Sequence, residues 1–324
     1  MRYNMTDLTV TQNSTELSTS TIDEKFSQNL AVAVLSKNTR IAYESAAACY
    51  TRSGFTLPAT KEDVIKYLVT ATKWTRKKSG DSIEFTKTDT PLSPASLQTH
   101  LAALAYYNEV FGGTNLKADK DIKNTLKLIR RERGTAQKQA KPIMLPEIKD
   151  IAANKNIPLR DKALLVLGFV TACRRSELSN LNVSDLTFKK EGVEVLIRKS
   201  KTDQEGAGFT KYVAVGHKRF CPVQILKDYL EEREDSDKIH DHDALFLNKN
   251  GKRLIPKGVG RIVTKYFNDT TGHGLRAGFV SQAALAGIQV NRIAEQTGHK
   301  SLDMVNRYCR NARGLKDSPT NDLY

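Results

Sequence analysis

The 324-residue sequence has only four cysteines, Cys49, Cys173, Cys221 and Cys309, far apart and with no CxxC pair or metal-finger spacing. That scarcity argues against a disulfide framework and a structural zinc site, and it suits a reducing cytoplasm. Long apolar runs are missing as well. The longest uncharged apolar stretch, Ala163 to Cys173, is too short to cross a bilayer, and the first residues lack the basic-then-apolar layout of a secretion signal. No internal repeat occurs at solenoid periods. Acid is also in short supply, with 36 Asp and Glu against 51 Lys and Arg, a formal net charge of +15. Such a deficit calls for a polyanionic partner, and nucleic acid comes before a membrane surface because no basic amphipathic anchor stands out. Hydrophobic residues at 39% and charged residues at 27% can bury a sizeable core. The length suits two domains of ordinary size.

Residues 1–24, rich in Ser, Thr and Asn, read as a mobile tail. From Ser36 the pattern turns helical, with Ile41, Ala42, Ser45, Ala46, Cys49 and Tyr50 recurring until Gly54. Thr60-Lys-Glu-Asp opens a second helix. Its expected apolar stripe is Val64, Leu68, Ala71 and Trp74, with Arg76, Lys77 and Lys78 at its C-terminal end, where the helix dipole favours cations. Ser93-Pro-Ala-Ser begins a third helix that Gly112-Gly113 stops, and a fourth runs from Asp119 to Arg133. Residues 25–134 are thus expected to form a helical bundle, followed by a polar linker over 135–145 carrying Gln137, Gln139 and Pro142. From Lys117 to Lys141 nine basic residues face three acidic ones, a net of +6. Alone, that run reads as a solvated helix face; in a chain this basic it equally suits phosphate tracking.

Residues 146–324 are expected to form a mixed α/β domain. Pro146–Asn154 and the apolar Leu159–Thr171 are helical, and Glu191–Arg198 with Lys211–Val215 form an antiparallel hairpin with a long polar tip. Further helices are expected over Pro222–Glu232, Pro256–Asn268, Leu275–Ala286, Gln289–Thr297 and Ser301–Asn311, with a short strand at Ala244–Leu247.

Polar residues interrupt these apolar helices, and their types suggest one chemistry. Arg174 follows the most apolar helix, where a buried arginine needs an anionic partner, and Glu177 stands three positions on. His273 and Arg276 share a helix face, His299 lies in a turn, and Tyr308 follows nine residues later. Two guanidinium forks match phosphate oxygens and keep their charge. Tyrosine is a weak nucleophile at its free pKa of about 10. Beside two arginines, however, it can lose its proton and attack phosphorus, while histidine or lysine protonates the departing sugar oxygen.

The stretch from Thr171-Ala-Cys-Arg-Arg-Ser-Glu-Leu to Leu186 resembles the first arginine box of the tyrosine recombinases, the phage integrase family. His273-Gly-Leu-Arg276 resembles their H-x-x-R box, and Thr297-Gly-His-Lys-Ser301 followed by Arg307-Tyr308 their nucleophile box. Ser36-Lys-Asn-Thr-Arg-Ile-Ala-Tyr43 and the helices after it are similar to the core-binding domain, so the resemblance covers residues 30–312. Lys199-Ser-Lys-Thr202 makes Cre-like members the nearest in pattern. The resemblance implies a SAM-like helical DNA-binding domain joined to a catalytic domain with a small antiparallel sheet, the two clamping duplex DNA. It implies Arg174 and Arg276 as phosphate clamps, Glu177 as support, Lys201 as general acid, His273 in proton transfer, His299 as a phosphate contact and Tyr308 as nucleophile. It further implies a 3′-phosphotyrosine, a Holliday junction and a homotetramer on two sites with paired inverted elements. No ATP, metal or other cofactor and no membrane are implied, and the setting is the cytoplasm, at the nucleoid.

Each residue has an ordinary reading by itself: a helix-end arginine, a satisfied histidine. Their joint order argues otherwise. Lys199 and Lys211 flank the same hairpin as Lys201 and compete for its role; Tyr266 and Tyr324 compete less well with Tyr308. His240-Asp-His-Asp243 lacks the spacing of a zinc site, and Cys173 and Cys309 read as small core residues. After Tyr308, Leu315, Leu323 and Tyr324 are the only apolar anchors, which weakens the expectation of a C-terminal helix docking on a neighbour. Two rivals stay open: a type IB topoisomerase-like enzyme and a non-catalytic DNA-binding protein of the same fold.

Overall fold

The computed structural model describes residues 35–79, 82–135, 140–200, 207–217, 219–234, 243–299, 301–314 and 321. The expected tail over 1–24, the hairpin tip with Lys201, His240 to His242 and the anchors Leu315, Leu323 and Tyr324 lie outside these residues. The chain divides into two compact units, Met1–Gln137 and Lys138–Tyr324. Among the described residues no helix is long and apolar enough to cross a membrane.

In the first unit, short polar side chains start the helices. Ser36 Oγ accepts the Thr39 N–H at 3.3 Å to open α1 (Lys37–Arg52), and Thr60 accepts the Asp63 N–H at 3.2 Å to open α2 (Lys61–Thr70). Satisfying amides that have no partner inside a helix is what favours these residues there. Ser93 caps α3 (Pro94–Val110), which has Pro in its first turn, and Asp119 caps α4 (Lys120–Arg133).

The second helix does not continue to Trp74 as its apolar spacing suggests. It stops at Thr70, and Thr72–Ser79 forms a strand, β1, antiparallel to β2 (Ser82–Pro91). Thr75 stands opposite Thr86 and Arg76 opposite Phe85. β-branched and aromatic pairs across strands supply what the helix loses. Arg76 and Lys77, expected at a helix end, therefore sit on a ribbon, and the bundle carries a hairpin. Beneath it Tyr50, Val64, Tyr67, Leu68, Leu97, Leu104 and Ile122 form the core.

The second unit is built on α6 (Leu159–Val170), nearly all of it buried, with α5 (Leu145–Ala153) and α8 (Pro222–Glu234) against it. After α7 (Arg175–Asn180), strands β3 (Leu186–Phe188), β4 (Gly192–Ile197) and β5 (Phe209–Ala214) make one antiparallel sheet in the order β3-β4-β5. β3 is too short to register in the sequence. The strand expected at Ala244–Leu247 is instead two isolated bridges, Asn182 to Ala244 and Leu247 to Arg253. α9 (Pro256–Tyr266), α10 (Gly274–Leu285), α11 (Val290–Thr297) and α12 (Leu302–Arg313) complete the unit.

Residues 140–144, expected in the linker, pack onto α10. Ile143 is buried and its N–H donates to the Gly274 carbonyl at 3.1 Å. A β-carbon on Gly278 would collide with the Ile143 backbone, so glycine is what lets the segment lie this close. Val280, Ala283 and Ala284 of α10 join Ile293, Val305 and Cys309 in a separate apolar cluster, on which Tyr308 rests half-buried.

Candidate active site

α6 ends at Val170, and the chain turns through Ala172 at a φ of 49°, a left-handed conformation unusual for a residue with a β-carbon. The turn delivers Arg174 to the N-terminus of α7. There Glu177, 2% exposed, holds it twice: one carboxylate oxygen accepts the Arg174 backbone N–H at 2.9 Å, the other its Nη1 at 2.6 Å. A carboxylate at the third position of a helix is well placed to cap it. Here the same group also orients a guanidinium, as the spacing of three residues suggested.

Arg276, on the first turn of α10, is 2% exposed. Its Nη1 donates to the carbonyls of Ala172 at 2.9 Å and Thr297 at 2.6 Å, and its Nη2 lies 2.9 Å from Nε2 of His299. Burial first, and the Arg174 charge second, lower its pKa to about 10, so the guanidinium stays charged at neutral pH. Because arginine only donates, Nε2 of His299 must accept. The imidazole proton is therefore on Nδ1, which donates to Thr297 Oγ1 at 2.7 Å, and that hydroxyl in turn donates to the Ile293 carbonyl. Gly298, left-handed with a φ of 68°, makes the sharp exit from α11 that presents His299. Burial, then Arg276 and Arg174, lower the His299 pKa to about 4, which keeps it neutral.

Tyr308 approaches from α12, and its hydroxyl is 3.2 Å from Nε2 of His273, the residue preceding α10. Partial burial, then the charges of Arg276, Arg174 and Arg175, lower the His273 pKa. That shift favours the neutral imidazole, whose free nitrogen can take a phenolic proton. Six of the seven expected residues, Arg174, Glu177, His273, Arg276, His299 and Tyr308, thus interlock in one place. Lys201 lies outside the described residues. Of its competitors Lys199 is exposed, whereas Lys211 is wholly buried with Nζ on the Thr171 carbonyl at 2.6 Å. Cys173 and Cys309 are buried, and burial raises the Cys173 thiol.

Residues 140–314 match the Phage integrase family. The chain belongs to the phage integrase family. The chain is 32% identical over 290 residues to an integrase/recombinase xerD homolog of Selenomonas ruminantium, a match spanning 83% of the chain and 78% of that relative. It is 29% identical over 177 residues to the tyrosine recombinase XerD of Oceanobacillus iheyensis, across 52% of the chain and 56% of the relative. Among solved structures, a lambda integrase dimer bound to a core site superposes with a TM-score of 0.59 at 16% identity, covering 92% of this chain and 78% of that one. The Tn1549 transposon integrase in complex with transposon right end DNA also gives 0.59 at 16%, over 88% and 93%. At that identity the likeness is one of fold.

Two side chains that matter to the site escaped the sequence. Thr297, wholly buried, fixes the His299 tautomer, and Gln296 donates to the Val170 and Tyr212 carbonyls at 3.0 and 3.1 Å. Thr297 stood inside the quoted nucleophile box; only its contact with a neighbouring histidine shows its use.

Proposed function

We propose that this family member is a site-specific tyrosine recombinase that cuts and rejoins duplex DNA, with Tyr308 as its nucleophile. The observation that carries the reading is the Tyr308 hydroxyl beside His273, next to two arginines of which one is buried and tied to His299. Arg174 and Arg276 hold the non-bridging oxygens of one phosphodiester and stabilise the charge that grows on them. Glu177 keeps Arg174 aimed. Tyr308 oxygen attacks phosphorus while its proton passes to His273; the bond from phosphorus to the 5′ oxygen breaks, leaving a 3′-phosphotyrosine. Lys201 is assigned the proton for the departing 5′ oxygen. Attack by the 5′ hydroxyl of a second duplex reverses the step and yields a Holliday junction. The phosphotyrosine keeps the bond energy, so the exchange runs without ATP, and the arginines supply the charge that a metal would otherwise provide.

The partner assigned to the chain is double-stranded DNA bearing paired inverted elements, engaged by four copies on two sites in the cytoplasm. Exposed Lys120, Lys127 and Arg131 on α4 suit the phosphate backbone in the first unit, residues 25–134, and the catalytic unit spans 146–324. The test is covalent trapping: the protein is incubated with end-labelled DNA from its genomic neighbourhood in EDTA and denatured before electrophoresis. A protein–DNA adduct in the wild type and none in Tyr308→Phe is the expected result. An adduct that persists in Tyr308→Phe moves the nucleophile elsewhere.

A further inference from the structure

Three successive carbonyls close α6, and each is met by a long side chain from a different part of the sequence. Gln296 Nε2 donates to Val170 at 3.0 Å, Lys211 Nζ to Thr171 at 2.6 Å, and Arg276 Nη1 to Ala172 at 2.9 Å. Carbonyls at a helix end have no partner within the helix, and cations favour that end. Water satisfies most such groups. Here side chains do so, two of them (Lys211 and Arg276) buried, at a turn whose Ala172 keeps a left-handed φ of 49°. Such a conformation persists where its surroundings over-determine it. Two residues later the chain presents Arg174.

Lys211 is the unexpected member of the three. It is 0% exposed on β5, and burying an ammonium is unfavourable without compensation. Methionine would fill the same space without that penalty. The lysine has a use that methionine lacks: it donates to the turn, and its charge lies close enough to Glu177, Arg174 and Arg276 to interact with all three. Glu177 is the carboxylate that orients Arg174, so an opposing cation behind it balances its buried charge.

We propose that Lys211 is a positioning residue of the cleavage reaction: from inside the protein it locks the Val170–Arg174 turn and so aims the Arg174 guanidinium at the scissile phosphate. It touches neither DNA nor Tyr308. The proposal rests on the recombinase reading for its catalytic consequence, but its structural content stands apart from that reading.

The experiment uses full-length protein carrying Lys211→Met or Lys211→Arg, and Gln296→Leu as a companion. Amide hydrogen exchange of the protein without DNA is measured first. In Lys211→Met the amides of Cys173 and Arg174 are expected to exchange faster, while those of α5 and α8 keep their rates. Single-turnover formation of the covalent complex should fall about tenfold to a hundredfold, the size of effect a misplaced reacting group produces, with DNA affinity within about threefold of wild type. Lys211→Arg should recover much of that loss, and Gln296→Leu should show the same local pattern in weaker form. Unchanged exchange at the turn overturns the proposal, whatever the enzyme does with DNA. Faster exchange spread over the whole second unit, with loss of DNA binding, overturns it too and leaves Lys211 a folding residue. If the wild type forms no adduct, the recombinase reading suffers, and the exchange data still decide the role of Lys211 in the turn.

Discussion

The two units treat polar groups in opposite ways. Among the described residues of the first, the buried polar one is Asn108, and its amide is spent on backbone, accepting the Ala59 N–H at 2.6 Å and donating to the carbonyls of Ala59 at 2.7 Å and Thr114 at 3.4 Å. The second unit buries Asp161, Lys162, Glu177, Asp185, Lys211, Arg233 and Arg276, among others. Size does not explain this, since both have extended apolar cores. A buried charge is tolerated where partners surround it and where a low dielectric makes it act strongly on whatever enters. The first unit, on the proposed reading, needs cations only on its outside, where water and salt weaken them. The second needs cations whose direction is fixed before DNA arrives.

That contrast can be broken most directly at Glu177. Replacing it with Leu strands a half-buried guanidinium, and unfolding by denaturant should show a loss of about 3–5 kcal/mol, with no comparable change for any exposed acid of the first unit. A variant as stable as the parent would mean that Arg174 is not held by charge. Next comes Arg276→Ala. Its covalent-complex rate should drop about a hundredfold to a thousandfold, the equivalent of about 3–4 kcal/mol of transition-state stabilisation, with DNA affinity little altered. A rate near that of the parent removes Arg276 from the chemistry.

Acid should act on both units, through one lowered histidine in the first and two, His273 and His299, in the second. Desolvation lowers His100 to about 4 in the first unit, where the Tyr67 hydroxyl is 2.7 Å from its Nδ1, and His299 is lowered equally in the second. Unfolded chains protonate histidine near pH 6.5, so between about pH 6.5 and 4 the unfolded state binds more protons and stability falls as the pH drops. Below about 4 both states are protonated and the slope vanishes. Thermal melts over that window should decline, and His100→Gln or His299→Gln should each flatten the decline. The smallest effect belongs to the outer cations: Lys127→Ala or Arg131→Ala should weaken DNA binding evenly across sequences and lower the salt slope by about one each, leaving cleavage of bound DNA unchanged.

The same contrast explains what was legible beforehand. Helix starts at Ser36, Thr60, Ser93 and Asp119 could be read because a cap is a local device. The catalytic boxes could be read because their residues keep fixed short spacings. The β1–β2 hairpin could not, since Val64, Leu68, Ala71 and Trp74 continue a helical rhythm and only the distant Ser82–Pro91 partner overrides it. Lys211 reads in the sequence as a rival of Lys201 for the general-acid role. Its burial depends on β5 lying over the end of α6, a contact that no periodicity records. The left-handed Ala172 is likewise invisible, because alanine gives no warning of a position that three outside donors hold in place.

Arg276 has one further implication. A single guanidinium on α10 joins the turn at Ala172 to the end of α11, at the Thr297 carbonyl and the His299 imidazole, so that three segments remote in the chain meet on it. Genetically these positions form one locus. Mutations at Thr297 and His299 should be strongly epistatic with Arg276, so that an Arg276/His299 double mutant is scarcely worse than Arg276→Ala alone. Drift at any one of them is therefore constrained by the other two.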